Sequence, residues 1–168
     1  LTPVAGVTHA AAVITLNNTG VDDLAGNSGT GITQSNAYSV DTQAPTASIV
    51  LANPTLAIGQ TSLVTITFSE AVSGFDNNDL SVPNGTLSAV SSVDGGITWT
   101  ATFTPTSNIH DTTNLITLNN TGVTDLANNA GTGVTLSGNF SIDTVRPTAN
   151  IVVEHSALKQ GETAQVTI

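Results

Sequence analysis

ITLNNTGVDDLAGNSGTG at Ile14–Gly31 recurs as ITLNNTGVTDLANNAGTG at Ile116–Gly133. The displacement is 116 − 14 = 102 residues. The same step carries SVDTQAPTASIV, from Ser39, onto SIDTVRPTANIV, from Ser141, and GQTSLVTI (Gly59–Ile66) onto GETAQVTI (Gly161–Ile168). Leu1–Ile66 aligns with Phe103–Ile168 without a gap, and about half of the paired positions are identical. Repetition at a fixed long period marks a tandem array, in which each period is one structural unit. The period divides the chain into three parts: residues 1–41 as the C-terminal part of a preceding repeat, 42–143 as one complete repeat, and 144–168 as the N-terminal part of a following one. The parent chain is expected to continue in both directions.

Within the complete repeat the apolar residues alternate with period two, the signature of strands with one buried face. Ile97, Trp99, Ala101 and Phe103 alternate with Thr98, Thr100, Thr102 and Thr104; Val64, Ile66 and Phe68 share a face; and Val134, Leu136, Phe140 and Ile142 are expected to share another. Shorter strands are predicted near residues 46–51, 80–82, 86–93 and 115–118. Asn53-Pro54, Asn84-Gly85, Asp94-Gly95-Gly96 and Gly131-Thr132-Gly133 supply the turns. No stretch sustains a helical period. Seven short strands in a repeat of about 102 residues predict an all-β fold, a series of tandem seven-stranded immunoglobulin-like β-sandwiches. The cysteine pair of the vertebrate immunoglobulin domain is absent, and Trp99, on the fifth strand rather than the third, is expected in the core.

Composition narrows the function. Two basic residues, Arg146 and Lys159, stand against twelve acids, a net charge of −10. Such a surface repels nucleic acid and anionic membrane, and no apolar run approaches the length of a membrane span. Without cysteine there is no disulfide, thiolate metal site or cysteine nucleophile. His9, His110 and His155 align with Asp111, Thr8 and Asn53, so no histidine recurs as a repeated site would require. No phosphate-cradling loop, HExxH or assembled Ser-His-Asp set is present, and the chain is not expected to be an enzyme. Asn17, Asn84, Asn119 and Asn139 begin N-x-S/T triplets, which arise often by chance in a chain rich in Thr and Asn.

DTQAPTASIV, VTITFSEAVSGF, GGITWTATFTP and TGVTDLANNAGTG resemble the bacterial Ig-like repeats of giant secreted, RTX-like adhesins and biofilm-associated surface proteins. The resemblance covers essentially the whole chain. It implies an extracellular stalk on the bacterial surface, often secreted by a type I system and often stiffened by calcium, with gripping left to terminal modules.

The acids are placed unevenly. Asp41, Glu70, Asp76, Asp79, Asp94, Asp111 and Asp125 belong to the complete repeat and its leading joint, which hold no Lys or Arg. If the first strand runs away from the preceding domain, the loops after the second, fourth and sixth strands all return to face it. Glu70, Asp76 and Asp79 fall in the first of these loops, Asp94 in the next, Asp125 in the last, and Asp41 in the joint itself. Crowded carboxylates must raise their pKa values, splay apart or share a cation. Calcium, which takes six to eight oxygens, suits the set better than zinc, since no Cys or clustered His is present. The expected Ca²⁺ site is centred on Asp41, Glu70, Asp79 and Asp125, with Asp76 and Asp94 nearby and Asn128 and Asn129 as further oxygen donors. Asp143 belongs to the next copy of the site and Asp23 to the previous one. Solubilising loop acids, with Asp94 and Asp125 merely shaping turns, are the competing reading.

The joints 41–46 and 143–148 are short, and each contains a proline, Pro45 or Pro147, which limits free tumbling of neighbouring units. The leading expectation is a structural spacer whose partners are the adjoining repeats, with identical chains in a fibre as further candidates. A binding module that recognises a glycan or protein on another surface is the alternative; the near-identical loops and an aromatic content of 4% favour it less.

Overall fold

The computed structural model describes residues 1–168, and its regular structure is almost entirely strand. The N-terminal part holds two short antiparallel pairs: β1 (Thr8–Ala12) with β4 (Tyr38–Asp41), and β2 (Thr15–Asn17) with β3 (Ile32–Gln34). The complete repeat follows as β5 (Ala47–Leu51), β6 (Thr55–Ala57), β7 (Ser62–Phe68), β8 (Val72–Ser73), β9 (Leu80–Ser81), β10 (Gly85–Leu87), β11 (Ser91–Ser92), β12 (Thr98–Pro105), β13 (His110–Asn114), β14 (Thr117–Asn119), β15 (Thr124–Asp125), β16 (Val134–Leu136) and β17 (Phe140–Asp143). The C-terminal part carries β18 (Val152–Val153) paired with β19 (Val166–Thr167).

One sheet of the repeat runs β10-β12-β7-β5, all antiparallel, with β11 added to β12. In the other, β13 and β14 lie end to end and pair with β17 and β16 as one interrupted hairpin; β9 joins at one end and β6 at the other. The β6–β17 pairing is parallel, Ser141 opposite Thr55 and Asp143 opposite Ala57. Two sheets in this order, antiparallel except for β6 and packed face to face, are an immunoglobulin-like sandwich.

Alternation places the core. Val64, Ile66 and Phe68 on β7 and Ala101 and Phe103 on β12 point inward and are buried, while the threonines between them face solvent or are only partly covered. Leu118, Phe140 and Ile142 oppose them from the second sheet. Phe103 meets Phe140 edge to face, ring centroids 5.2 Å apart, so the two sheets lock through their aromatic residues. Trp99 is only half-buried: its ring meets Phe75 edge-on and its indole N–H donates to Gly96 O at 3.0 Å.

The expectation of a single face through Val134–Ile142 needs correction. Phe140 and Ile142 are buried, but Val134 and Leu136 are mostly exposed. The strand breaks at Ser137–Asn139, where Ser137 Oγ accepts from Ile116 N, and the interruption shifts the alternation to the other face. The predicted strand at 86–93 likewise splits into β10 and β11, and β6 and β13 carried no periodic signal.

β5 leaves the preceding unit and β7 returns to it, so the loops that follow β7, β11 and β14 gather at one end, the near pole. Hydrogen bonds tie them together: Ser69 N to Thr46 O at 2.8 Å, Val72 N to Gly96 O at 3.1 Å, and the pairing of Thr124–Asp125 with Val72–Ser73.

Candidate metal centre

Asp125 is the anchor of the near pole. It lies in the loop between β14 and β16 and is buried. Its Oδ1 accepts from Ala127 N and Asn129 N, both at 2.8 Å, and its Oδ2 accepts from Asn129 Nδ2 at 2.7 Å. Asn128 takes the left-handed conformation that closes this turn, where Gly26 stands in the preceding copy. The same bonds surround Asp23, whose oxygens accept from Ala25 N, Asn27 N and Asn27 Nδ2 and whose carboxyl is held below its usual range, chiefly by Asn27. The loop therefore forms from its own sequence, and the aspartate shapes it in both copies.

At the joint two more carboxylates are added to that loop. Asp41 ends β4, and its Oδ1 accepts from Thr8 Oγ1 at 2.9 Å and Gln43 N at 3.2 Å, which turns the chain into the linker. Glu70 follows β7, next to Ser69, whose Oγ accepts from Thr46 N at 3.0 Å and so holds the loop against the linker. One carboxylate oxygen each from Asp41, Glu70 and Asp125 lie within 4.8 Å of one another. Asn129 Nδ2 also donates to Asp41 O at 3.3 Å. Burial raises the Glu70 carboxyl above its ordinary value, and the neighbouring charges of Asp125 and Asp41 raise it further.

The other candidates lie apart from this trio. Asp76 and Asp79 form a capping box around the 3-10 turn Asn77–Asp79: Asp76 Oδ1 accepts from Asn78 N at 2.6 Å, Asp79 Oδ2 accepts from Asp76 N at 3.0 Å, and Asp79 packs on Gly122. Asp94 Oδ1 accepts from Thr98 N at 2.8 Å and Ser92 Oγ at 2.9 Å, and these bonds, Thr98 first, hold it below its usual range. Asp143, at the far pole, accepts from Val145 N and lies 3.3 Å from His110 Nδ1. Asp23 stays in the exposed loop of the preceding unit.

The trio offers only hard oxygen donors, and no lysine or arginine lies anywhere in residues 42–143. It fits an oxygen-seeking divalent cation and not a soft metal. Asn129 was expected here as an oxygen donor but presents its Nδ2 instead, and two contributions were not legible in sequence. Asn129 acts through its amide N–H groups as the link between loop and joint, and Ser69 with Thr46 pins Glu70 in reach. The repetition of Asn27 as Asn129 was the only available signal for the first, and the second had none.

An all-β chain with this two-sheet order is an immunoglobulin-like sandwich. The bacterial Ig-like domain model matches residues 1–40 and again residues 41–142. The chain belongs to the bacterial Ig-like domain family. No curated protein and no solved structure matches it significantly.

Proposed function

We propose that this chain is a structural repeat of an extracellular bacterial adhesin or matrix fibre, forming a stiff, calcium-stabilised stalk for cell adhesion or biofilm formation. The observation that carries the reading is the meeting of Asp41, Glu70 and Asp125 at the joint, from the end of one unit and two loops of the next. Ca²⁺ bound there would neutralise three carboxylates that otherwise repel, and would tie β4 of one unit to the loops of the following one. Water or main-chain oxygens would complete its ligands.

The chain's own residues prepare that role. Asn129 orients the Asp125 carboxylate and grips Asp41 O; Ser69 and Thr46 hold Glu70 beside the linker; Pro45 restricts the linker backbone. The partners are the adjoining repeats, with identical chains alongside in a fibre. The chain's role in this reading is structural, not catalytic. The far-pole groove lined by Ile58, Gln60, Pro105, Asn108, Thr144 and Arg146 holds no carboxylate pair.

The test is small-angle scattering and thermal melting of a protein of three complete repeats, with calcium and then with excess EDTA. Calcium should lengthen the particle and raise the melting temperature, and Asp41→Ala or Glu70→Ala should abolish both effects. An unchanged particle and an unchanged melt would leave the joint as solvated surface and sink the calcium stalk.

A further inference from the structure

A second polar centre lies at the far pole, unrelated to the carboxylate trio. Asn84 precedes β10 and adopts a left-handed conformation, φ 52°. Its Nδ2 donates to Asp111 Oδ2 at 2.9 Å and to Asn114 Oδ1 at 2.8 Å. Asn114 is 1% exposed, and its own Nδ2 is committed to Asp111 O and Phe140 O. Asp111 also accepts from Thr113 N; that bond first, and Asn84 among the others, holds its carboxyl below the usual range. The Asn84 amide is thus a donor set between two acceptors, one of them an anion.

Packing dictates the next residue. A Cβ at position 85 would enter the ring of Phe103, which is fully buried and cannot yield. A left-handed position favours Asn among residues with side chains. The fold therefore requires Gly at 85 and favours Asn at 84, giving the dipeptide in which an unhindered glycine nitrogen most readily attacks the preceding carboxamide.

We propose that Asn84 is a deamidation site, guarded by its hydrogen bonds to Asp111 and Asn114 while the far pole is closed and converted when that pole opens. In the reaction Gly85 N loses its proton and bonds to Asn84 Cγ, the Cγ–Nδ2 bond breaks, and Nδ2 leaves as ammonia. Water then opens the cyclic imide to aspartate or isoaspartate, with no redox change. In the closed fold Nδ2 is held by two acceptors, and Asn84 O is held by Thr106 N at 2.8 Å. After conversion the pole does not close as before. A carboxylate has no proton for Asn114 Oδ1, and it faces the Asp111 anion at hydrogen-bond distance. The site therefore records past opening. The same bonds leave the Asn84-Gly85-Thr86 triplet without a free amide for a glycan in the folded state.

Peptide mapping by mass spectrometry tests the proposal, with this chain incubated folded and in denaturant at the same pH and temperature. Conversion at Asn84 should be about tenfold or more slower in the folded chain, because reaction there requires local opening; Asn84→Ser should remove the signal. Independently, Asn84→Asp should lower the melting temperature, and the paired exchange of Asn84→Asp with Asp111→Asn, which returns a donor and an acceptor between these two positions but leaves Asn114 Oδ1 without its donor, should restore part of the loss. If Asn84→Asp alone does not fold, recovery of folding by the paired exchange supports the same geometry. Equal rates in folded and denatured chain, or an unchanged melt of Asn84→Asp, would overturn it.

Discussion

The side-chain amide of Asn129 donates to the main-chain oxygen of Asp41 at 3.3 Å, across 88 positions of sequence. The same nitrogen donates to Asp125 Oδ2 at 2.7 Å, so one carboxamide joins a loop to the end of the unit before it. Asn129→Ala leaves the buried Asp125 short of a donor and the joint without this bond. It should destabilise the complete repeat by about 1–3 kcal/mol, the cost of orphaning a buried polar group. Chemical denaturation measures this, and a loss below a few tenths would show the contact to be incidental.

Calcium should act by mass action. At a free concentration a hundredfold above Kd, one site adds about 2.7 kcal/mol to the folded state. For a domain of this size each kcal/mol is worth about 4–8 °C in Tm. Calorimetry at rising calcium should show a continuous upward shift, and Asp125→Asn should flatten it.

Glu70 sets a pH dependence that calcium should reverse. Its folded pKa lies above the ordinary carboxylate value, raised by burial and then by Asp125 and Asp41. In the metal-free chain its contribution is fully present below the unfolded pKa and is lost as pH rises through the folded one. Glu70→Gln should therefore raise Tm in EDTA at neutral pH and weaken the response to calcium. Asp23, Asp94 and Asp111 act in the opposite sense: their pKa values are lowered, and their contributions vanish as pH falls through those values. Melting curves of wild type and Glu70→Gln across acid to neutral pH separate the two.

Phe103→Ala should cost about 3–5 kcal/mol, as for other fully buried aromatic residues. It removes the ring that meets Phe140 across the sandwich and that closes on Gly85. Denaturant titration of the variant checks this; a loss under 1 kcal/mol would mean that the core refills the space.

Much of the fold was legible because β7 and β12 alternate cleanly over seven and eight residues. Val134 and Leu136 were misplaced because β16 and β17 look continuous in sequence but are separated by Ser137–Asn139 in space. β6 has three residues, one of them buried, too few to show a period. The gathering of acids at one pole followed from the direction of the strands alone. Which of them meet did not, because Asp76, Asp79 and Asp94 spend their oxygens on local main-chain N–H groups, a competition that depends on side-chain geometry.

β17 is held on both sides, by β13 running against it and by β6 running with it. The repeat begins at one pole and ends at the other, so tension on the array pulls β17 along its own length. Its ladder bonds are then loaded together in shear instead of being unzipped one after another. In a stalk under load, resistance to the pull would thereby fall on the final four residues of the repeat, well away from the acidic pole.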